Sequence, residues 1–292
     1  MIQYGWIENK EEVKQTLNRL ANPLFLTSKA ATSSAALPDE VFLWNAAIKV
    51  LGQVLPGRNQ GDVGSCVSFG TASAIEYTML NEIAMGQLEE YKDLCQESIY
   101  GGSRVEIGKG QVHGDGSIGA WAAEFVEQYG LIARGVYKDY DLQAYDETRC
   151  RLWGRDGLPD DLEPEAKKHP VKTVSLVRSY EEAKKALASG FGISVCSNQG
   201  FTMDRDREGF ARPMGSWGHC MAIIGYQSKR PGCFLLNSWG DDSHTGPQGL
   251  GNPPKAGFWA DAKVVDKMLS AKDSWAFSCV EGFPVRKLNY FI

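Results

Sequence analysis

Apolar positions recur every three to four residues at Phe69, Ala72, Ile75, Met79 and Ile83. That period predicts a helix opening near residue 66 and stopping at Gly86. The segment ahead of it, PGRNQGDVGS at 56–65, is a glycine-rich turn, so Cys66 falls in the first turn of the helix. A further helical stretch is expected over about 88–100, and another over about 118–129. In the latter Ile118, Trp121, Ala122, Phe125 and Tyr129 share a side, and Gly130 is the cap. Near the start, Asn9 with Glu12 three residues on marks a helix opening. Val13, Leu17 and Leu20 then line one face until Asn22-Pro23 ends it. Ser28 to Ala36, rich in Ser, Thr and Ala, reads as a flexible connector.

The pattern changes in the second half. Lys172–Val177 alternates as a strand, Tyr180–Ala188 is a short helix and Phe191–Cys196 is another strand. His219–Tyr226 and Cys233–Asn237 are apolar strands separated by the polar turn Gln227–Gly232. Helices first and strands later predict an α+β fold with two lobes. There is no internal repeat.

Composition narrows the classes. The chain has 292 residues, 43% hydrophobic and 23% charged, the balance of a globular protein of one large or two small domains. A net charge of −5 weighs against nucleic-acid binding. No apolar run approaches the roughly 18 residues of a membrane span. The opening MIQYGWIENKEE lacks the pattern of a secretory signal. The seven cysteines contain no CxxC pair, so zinc-ribbon and redox-dithiol spacings are absent, and most of the thiols read as reduced and the location as cytoplasmic or virion-associated. No metal or cofactor is expected. His113, His169 and His244 lie in polar stretches and read as solvated, as does the mixed-charge run Asp204–Glu208.

Candidate chemistry centres on four residues. If the two late strands pair with Tyr226 opposite Gly232, His219 faces Trp239 and Asn237 lies diagonally beside His219 on the same face. An asparagine carbonyl there would orient the imidazole. Cys66, at a helix N-terminus, feels the positive end of the dipole, which favours the nucleophilic thiolate. Gln60, six residues earlier, could donate to an oxyanion alongside the Cys66 backbone N–H. One such donor is worth about 3–4 kcal/mol of barrier.

These motifs resemble the papain family of cysteine peptidases. Asn59 to Cys66 followed by Phe69 is similar to that family's nucleophile loop and helix. Gly218-His219 with Met221–Tyr226 resembles its histidine strand, and Asn237-Ser238-Trp239-Gly240 its asparagine motif. The likeness extends over roughly 37–265. It implies a helical lobe at about 60–160, an antiparallel β-barrel-like lobe at about 161–292, and a cleft between them. Residues 1–36 would be an extension of a short helix plus linker, shorter than the family's inhibitory propeptide yet long enough to lie across the cleft. Carried over, Cys66 is the nucleophile, His219 the general base then acid, Asn237 its orienter and Gln60 an oxyanion donor. Trp239 shields the His–Asn pair, while Gly116, Gly218 and Trp217 bind a polypeptide substrate.

The chain departs from the family at Val63 and Val67, where a cysteine and an aromatic are usual, and in the polar insertion Asp241–Lys255, expected beside the leaving-group side. The leading expectation is peptide hydrolysis through a Cys66 thioester. The alternatives are a non-catalytic or packaged component of a larger assembly such as a virion, and an amidase or peptidoglycan hydrolase using the same residues.

Overall fold

The computed structural model describes residues 4–87, 90–286 and 288. In chain order the elements begin with α1 (Lys10–Arg19), α2 (Lys29–Thr32), β1 (Glu40–Phe42), α3 (Trp44–Leu51), α4 (Cys66–Ala84), α5 (Gln96–Gly102) and α6 (Gly119–Gln128). There follow β2 (Val136–Tyr137), β3 (Tyr140–Asp141), α7 (Glu147–Asp156), α8 (Glu163–Ala166), β4 (Thr173–Leu176) and α9 (Tyr180–Ala188). The chain then runs through β5 (Ile193–Arg205), β6 (Ala211–Gln227), β7 (Gly232–Leu236), β8 (Gly257–Asp261), α10 (Ala262–Leu269) and β9 (Ser274–Ser278). The helix expected from 88 begins only at Gln96, and residues 88 and 89 lie outside the described set.

The α4 helix is the element on which the site is built. Every residue from Cys66 to Glu82 is buried, so it is enclosed all round rather than along one stripe. At Gly70 a side chain would come within 2.8 Å of the Cys220 sulfur on β6. This glycine lets the helix lie directly against the strand that carries His219.

The β lobe is one antiparallel sheet in the order β4-β9-β5-β6-β7-β8, with β1 paired to the far end of β6. The expected barrel is not closed among the described strands: β4 and β8 remain the two edges. Strands β5 and β6 run well past their expected ends, with register shifts beyond Ser197. At the turn the register differs by one from expectation, with Tyr226 opposite Cys233 and Gln227 opposite Gly232. A shift between Ile223 and Gly225 then sets Ala222 opposite Leu236, the register expected toward the site. No helix among the described residues is long and apolar enough to cross a membrane.

The described N-terminal segment docks through residues 5–7, α1 and α2. Asn9 caps α1, and Val13, Thr16 and Leu20 are buried. Thr16 Oγ1 donates to Glu124 at 2.8 Å, Arg19 pairs with the same buried carboxylate at 2.6 Å, and Trp121 Nε1 donates to Glu12 at 2.8 Å. The stretch read as a flexible connector contains α2, whose Ala30 and Ala31 are buried; Ala30 N–H donates to Phe283 O at 3.1 Å. Alternation of small residues hid a short helix that only packing against the body stabilises.

Candidate active site

Cys66 opens α4 with no side-chain cap from Ser65, leaving first-turn N–H groups aimed past the helix end. Its sulfur is fully buried. Burial pushes the thiol well above its ordinary pKa, and Cys220 adds to that; backbone N–H groups of Cys220, Gly5 and Val67 pull the other way. Cys220 follows His219 in β6, so the sulfur touches the backbone next to the imidazole.

His219 and Asn237 meet as the strand pattern required, with Nε2 2.8 Å from Asn237 Oδ1. The Ser238 backbone N–H also donates to that oxygen at 2.8 Å, which identifies it as the amide's acceptor end. His219 Nε2 must therefore carry the hydrogen, and its Nδ1 is the basic nitrogen. That Nδ1 is buried without a hydrogen-bond partner, so no hydrogen bond joins it to the thiol. Burial lowers the imidazole pKa to about 4 against the raising effect of the Asn237 bond, and His244 lowers it further. Both groups are thus neutral near pH 7 in this state. The Trp239 ring stacks on the imidazole at 4.5 Å between centroids, and Trp217 meets Trp239 edge-on at 4.9 Å.

Gln60 is also buried and its amide is oriented. Ser238 Oγ donates to Gln60 Oε1 at 2.6 Å, so Nε2 is the end facing the turn ahead of Cys66, where it donates to Val63 O at 2.8 Å. Ser238 therefore couples the Asn237 motif to the Gln60 loop across the cleft, a contact not visible in the spacing of the motifs.

Sequence reasoning missed two participants. His244, read as solvated, is buried; its Nε2 lies 3.1 Å from Asn237 Nδ2. Arg205, read as part of a solvated run, is buried and donates to the carbonyls of His244, Gly246, Lys255 and Gly257. The insertion read as 241–255 is thereby folded back onto Asn237. A lone histidine in a polar loop carries no local signal of this. His113 does remain exposed, and His169 is half-buried.

The cleft is covered by the chain's own start. Gly5 and Trp6 N–H groups donate to Gly218 O at 3.0 and 2.8 Å. Ile7 N–H donates to Ser117 O at 3.0 Å, and Ser117 N–H donates to Gly5 O at 2.8 Å. Trp6 pairs with Ser117 as a parallel bridge. Gly116, φ +109°, lies directly beneath: a side chain there would meet Gly5 O and Ile7 at 3.0 Å. The Tyr4 ring stacks on Trp217 and meets His219 and Trp239 edge-on. Trp6 is buried, its indole N–H donating at 2.7 Å to Asp273 Oδ2, which also accepts from Gly119 N–H at 2.9 Å. Of the residues expected to hold substrate backbone, Gly218 receives the segment directly, whereas beside Gly116 the hydrogen bonds fall on Ser117.

A family model described as papain family cysteine protease matches residues 42–249. A probable cysteine protease, RDL2 of Arabidopsis thaliana, is 28% identical over 222 residues, covering 70% of this chain and 52% of its own length. The chain thus spans about half the length of that curated relative. Among solved structures, xylellain, a cysteine protease from Xylella fastidiosa, aligns with a TM-score of 0.59 at 15% identity, over 96% of this chain and 92% of that one. Digestive procathepsin L 3 of Tenebrio molitor larval midgut aligns at 0.55 and 16% identity, over 95% and 83% of the two chains. The ragweed pollen allergen Amb a 11, a cysteine protease in its proform, aligns at 0.54 and 16%, over 94% and 76%. At these identities the solved structures establish the shared fold.

Proposed function

We propose that this chain, which belongs to the papain family of cysteine proteases, hydrolyses peptide bonds by acyl transfer through Cys66. His219 Nδ1 takes the thiol proton, and the sulfur adds to the substrate carbonyl carbon. The resulting oxyanion is met by the Cys66 backbone N–H and the Gln60 amide. Collapse expels the amine, protonated by His219, and leaves a thioester on Cys66. Water, deprotonated by the same nitrogen, then releases the acid and regenerates the thiol. The observation that carries this reading is the orientation of Asn237, which leaves Nδ1 as the one basic nitrogen of His219.

We further propose that residues 4–7 hold an inactive state. They occupy the backbone groups of Gly218 and Ser117 that an extended substrate would use, and they bury a thiol and an imidazole that are both neutral. Two of the similar solved structures are described as proforms, which agrees with a covered cleft. Neither the packaged-component nor the cell-wall reading gains an observation from the fold or its relatives.

The direct test is a thiol-directed epoxysuccinyl probe with mass mapping of the label, alongside turnover of denatured protein and of cell-wall peptides. In the arm-loosened Trp6→Ala background, label on Cys66 and protein turnover lost by on the order of 10⁴-fold or more on adding Cys66→Ala are expected. Indifferent labelling of all reachable thiols, with no protein cleaved by the arm-loosened variant Trp6→Ala, overturns the reading.

A further inference from the structure

Asn237 is held from three directions. Its Oδ1 accepts from Ser238 N–H and from His219 Nε2, both at 2.8 Å, and its Nδ2 lies 3.1 Å from His244 Nε2. Because Nδ2 can only donate, His244 Nε2 must be its acceptor, so the ring is neutral with its proton on Nδ1. The ring is buried against Phe258 at 4.7 Å, and its backbone carbonyl is gripped by Arg205 at 3.2 Å. An unbroken series of side-chain hydrogen bonds thus runs from His219 through Asn237 to a loop outside the three motifs.

We propose that His244 is a positioning residue for hydrolysis: by accepting from Asn237 Nδ2 it keeps Asn237 Oδ1 turned toward His219. The inference rests on the reading of Cys66 and His219 as the reacting pair. Rotation of the amide by half a turn would set its NH2 against His219 Nε2–H and Ser238 N–H, two donors facing donors. With an apolar ring at 244 the buried Nδ2 hydrogens lose their acceptor, and the native orientation loses the part of its advantage that His244 supplies. The hold matters most in mid-reaction. When His219 takes the thiol proton, its bond to Oδ1 becomes charge-assisted, and polarisation of the amide strengthens the Nδ2 bond as well. The effect is therefore on kcat.

Charged and titratable groups facing His244 are Arg205 and, beyond Asn237, His219. Burial and Arg205 keep its pKa near 4, against a raising contribution from the Met203 backbone. Protonated, it would present a donor to a donor.

The test uses the full chain in the Trp6→Ala background, comparing His244→Phe and His244→Gln. We expect Phe to lower kcat about tenfold with KM unchanged, and Gln, which can still accept, to recover most of it. The Phe variant should also lose the steepening of the acid limb near pH 4. Wild-type kcat and pH profile in a folded Phe variant overturn the proposal, as does a Gln variant no better than Phe. If no peptide is turned over at all, the peptidase reading fails separately. The nitrogen spectrum of His219 then decides: a mixture of tautomers in the Phe variant supports His244, and an unchanged Nε2–H tautomer overturns it.

Discussion

Two segments outside the motifs reach the candidate cleft, one aromatic and apolar (Tyr4-Gly5-Trp6-Ile7) and the other polar and rich in glycine and proline. The arm at 4–7 lies over the cleft by backbone hydrogen bonds to Gly218 and Ser117, plus one buried side chain, Trp6. The loop at 240–256 reaches it from behind, through His244, and is fastened by the buried Arg205 of β5. The difference lies in what each contact competes with. The arm uses groups on the open face of the cleft, where another extended chain can replace it. The loop supplies the carbonyls that accept from the buried Arg205, so its release would strand that guanidinium. On the proposed reading, one is a removable cover and the other a permanent brace.

The largest expected effect breaks the brace. Arg205→Met should cost about 3–5 kcal/mol in urea unfolding, because several buried carbonyls lose a charged donor. Amide-exchange protection at Gly5, Trp6 and Ile7 should fall no further than global stability does. A stability near wild type would mean that the loop is held by other contacts.

Removing the cover comes next. Trp6→Ala should weaken arm docking by about 3 kcal/mol, since the indole is buried and supplies a donor to Asp273. Turnover should rise at least about tenfold, with little change in urea unfolding of the body. Unchanged turnover would remove the inhibitory role of the arm.

The smallest effect is a pH shift confined to the arm. His219 beneath it has a pKa near 4, below the ordinary 6.5, so a released imidazole binds a proton that the covered one does not. Docking is therefore tightest above pH 6.5 and is lost progressively as pH falls toward 4. Asp273 works in the opposite direction, because burial holds its carboxyl above the ordinary range. Exchange protection at Gly5–Ile7, corrected for intrinsic rates, should drop through this window, and more steeply in Asp273→Asn. Flat protection would show that the arm does not govern the burial of His219.

Much of the site was legible in advance because its signals are local. A glycine-rich turn, a period of 3.6 after it and two apolar strands around a polar turn were enough to nominate Cys66, His219, Asn237 and Gln60. Even the strand register survived an error of one residue at the turn, since the shift between Ile223 and Gly225 cancels it before the site. Connector and charge run were misread because burial of Ala30, Ala31 and Arg205 depends on partners far along the chain.

The sequence by itself determined on which kinds of element the candidate residues Cys66, His219, Asn237 and Gln60 sit, because periodicity and turn chemistry act between near neighbours. Only the tertiary structure decided that Ser238 ties Gln60 to the Asn237 motif, that His244 backs Asn237, and that Trp6 reaches Asp273 over the cleft. These are contacts between segments whose separate patterns carry no trace of one another, and they exist only once packing has excluded water from both partners.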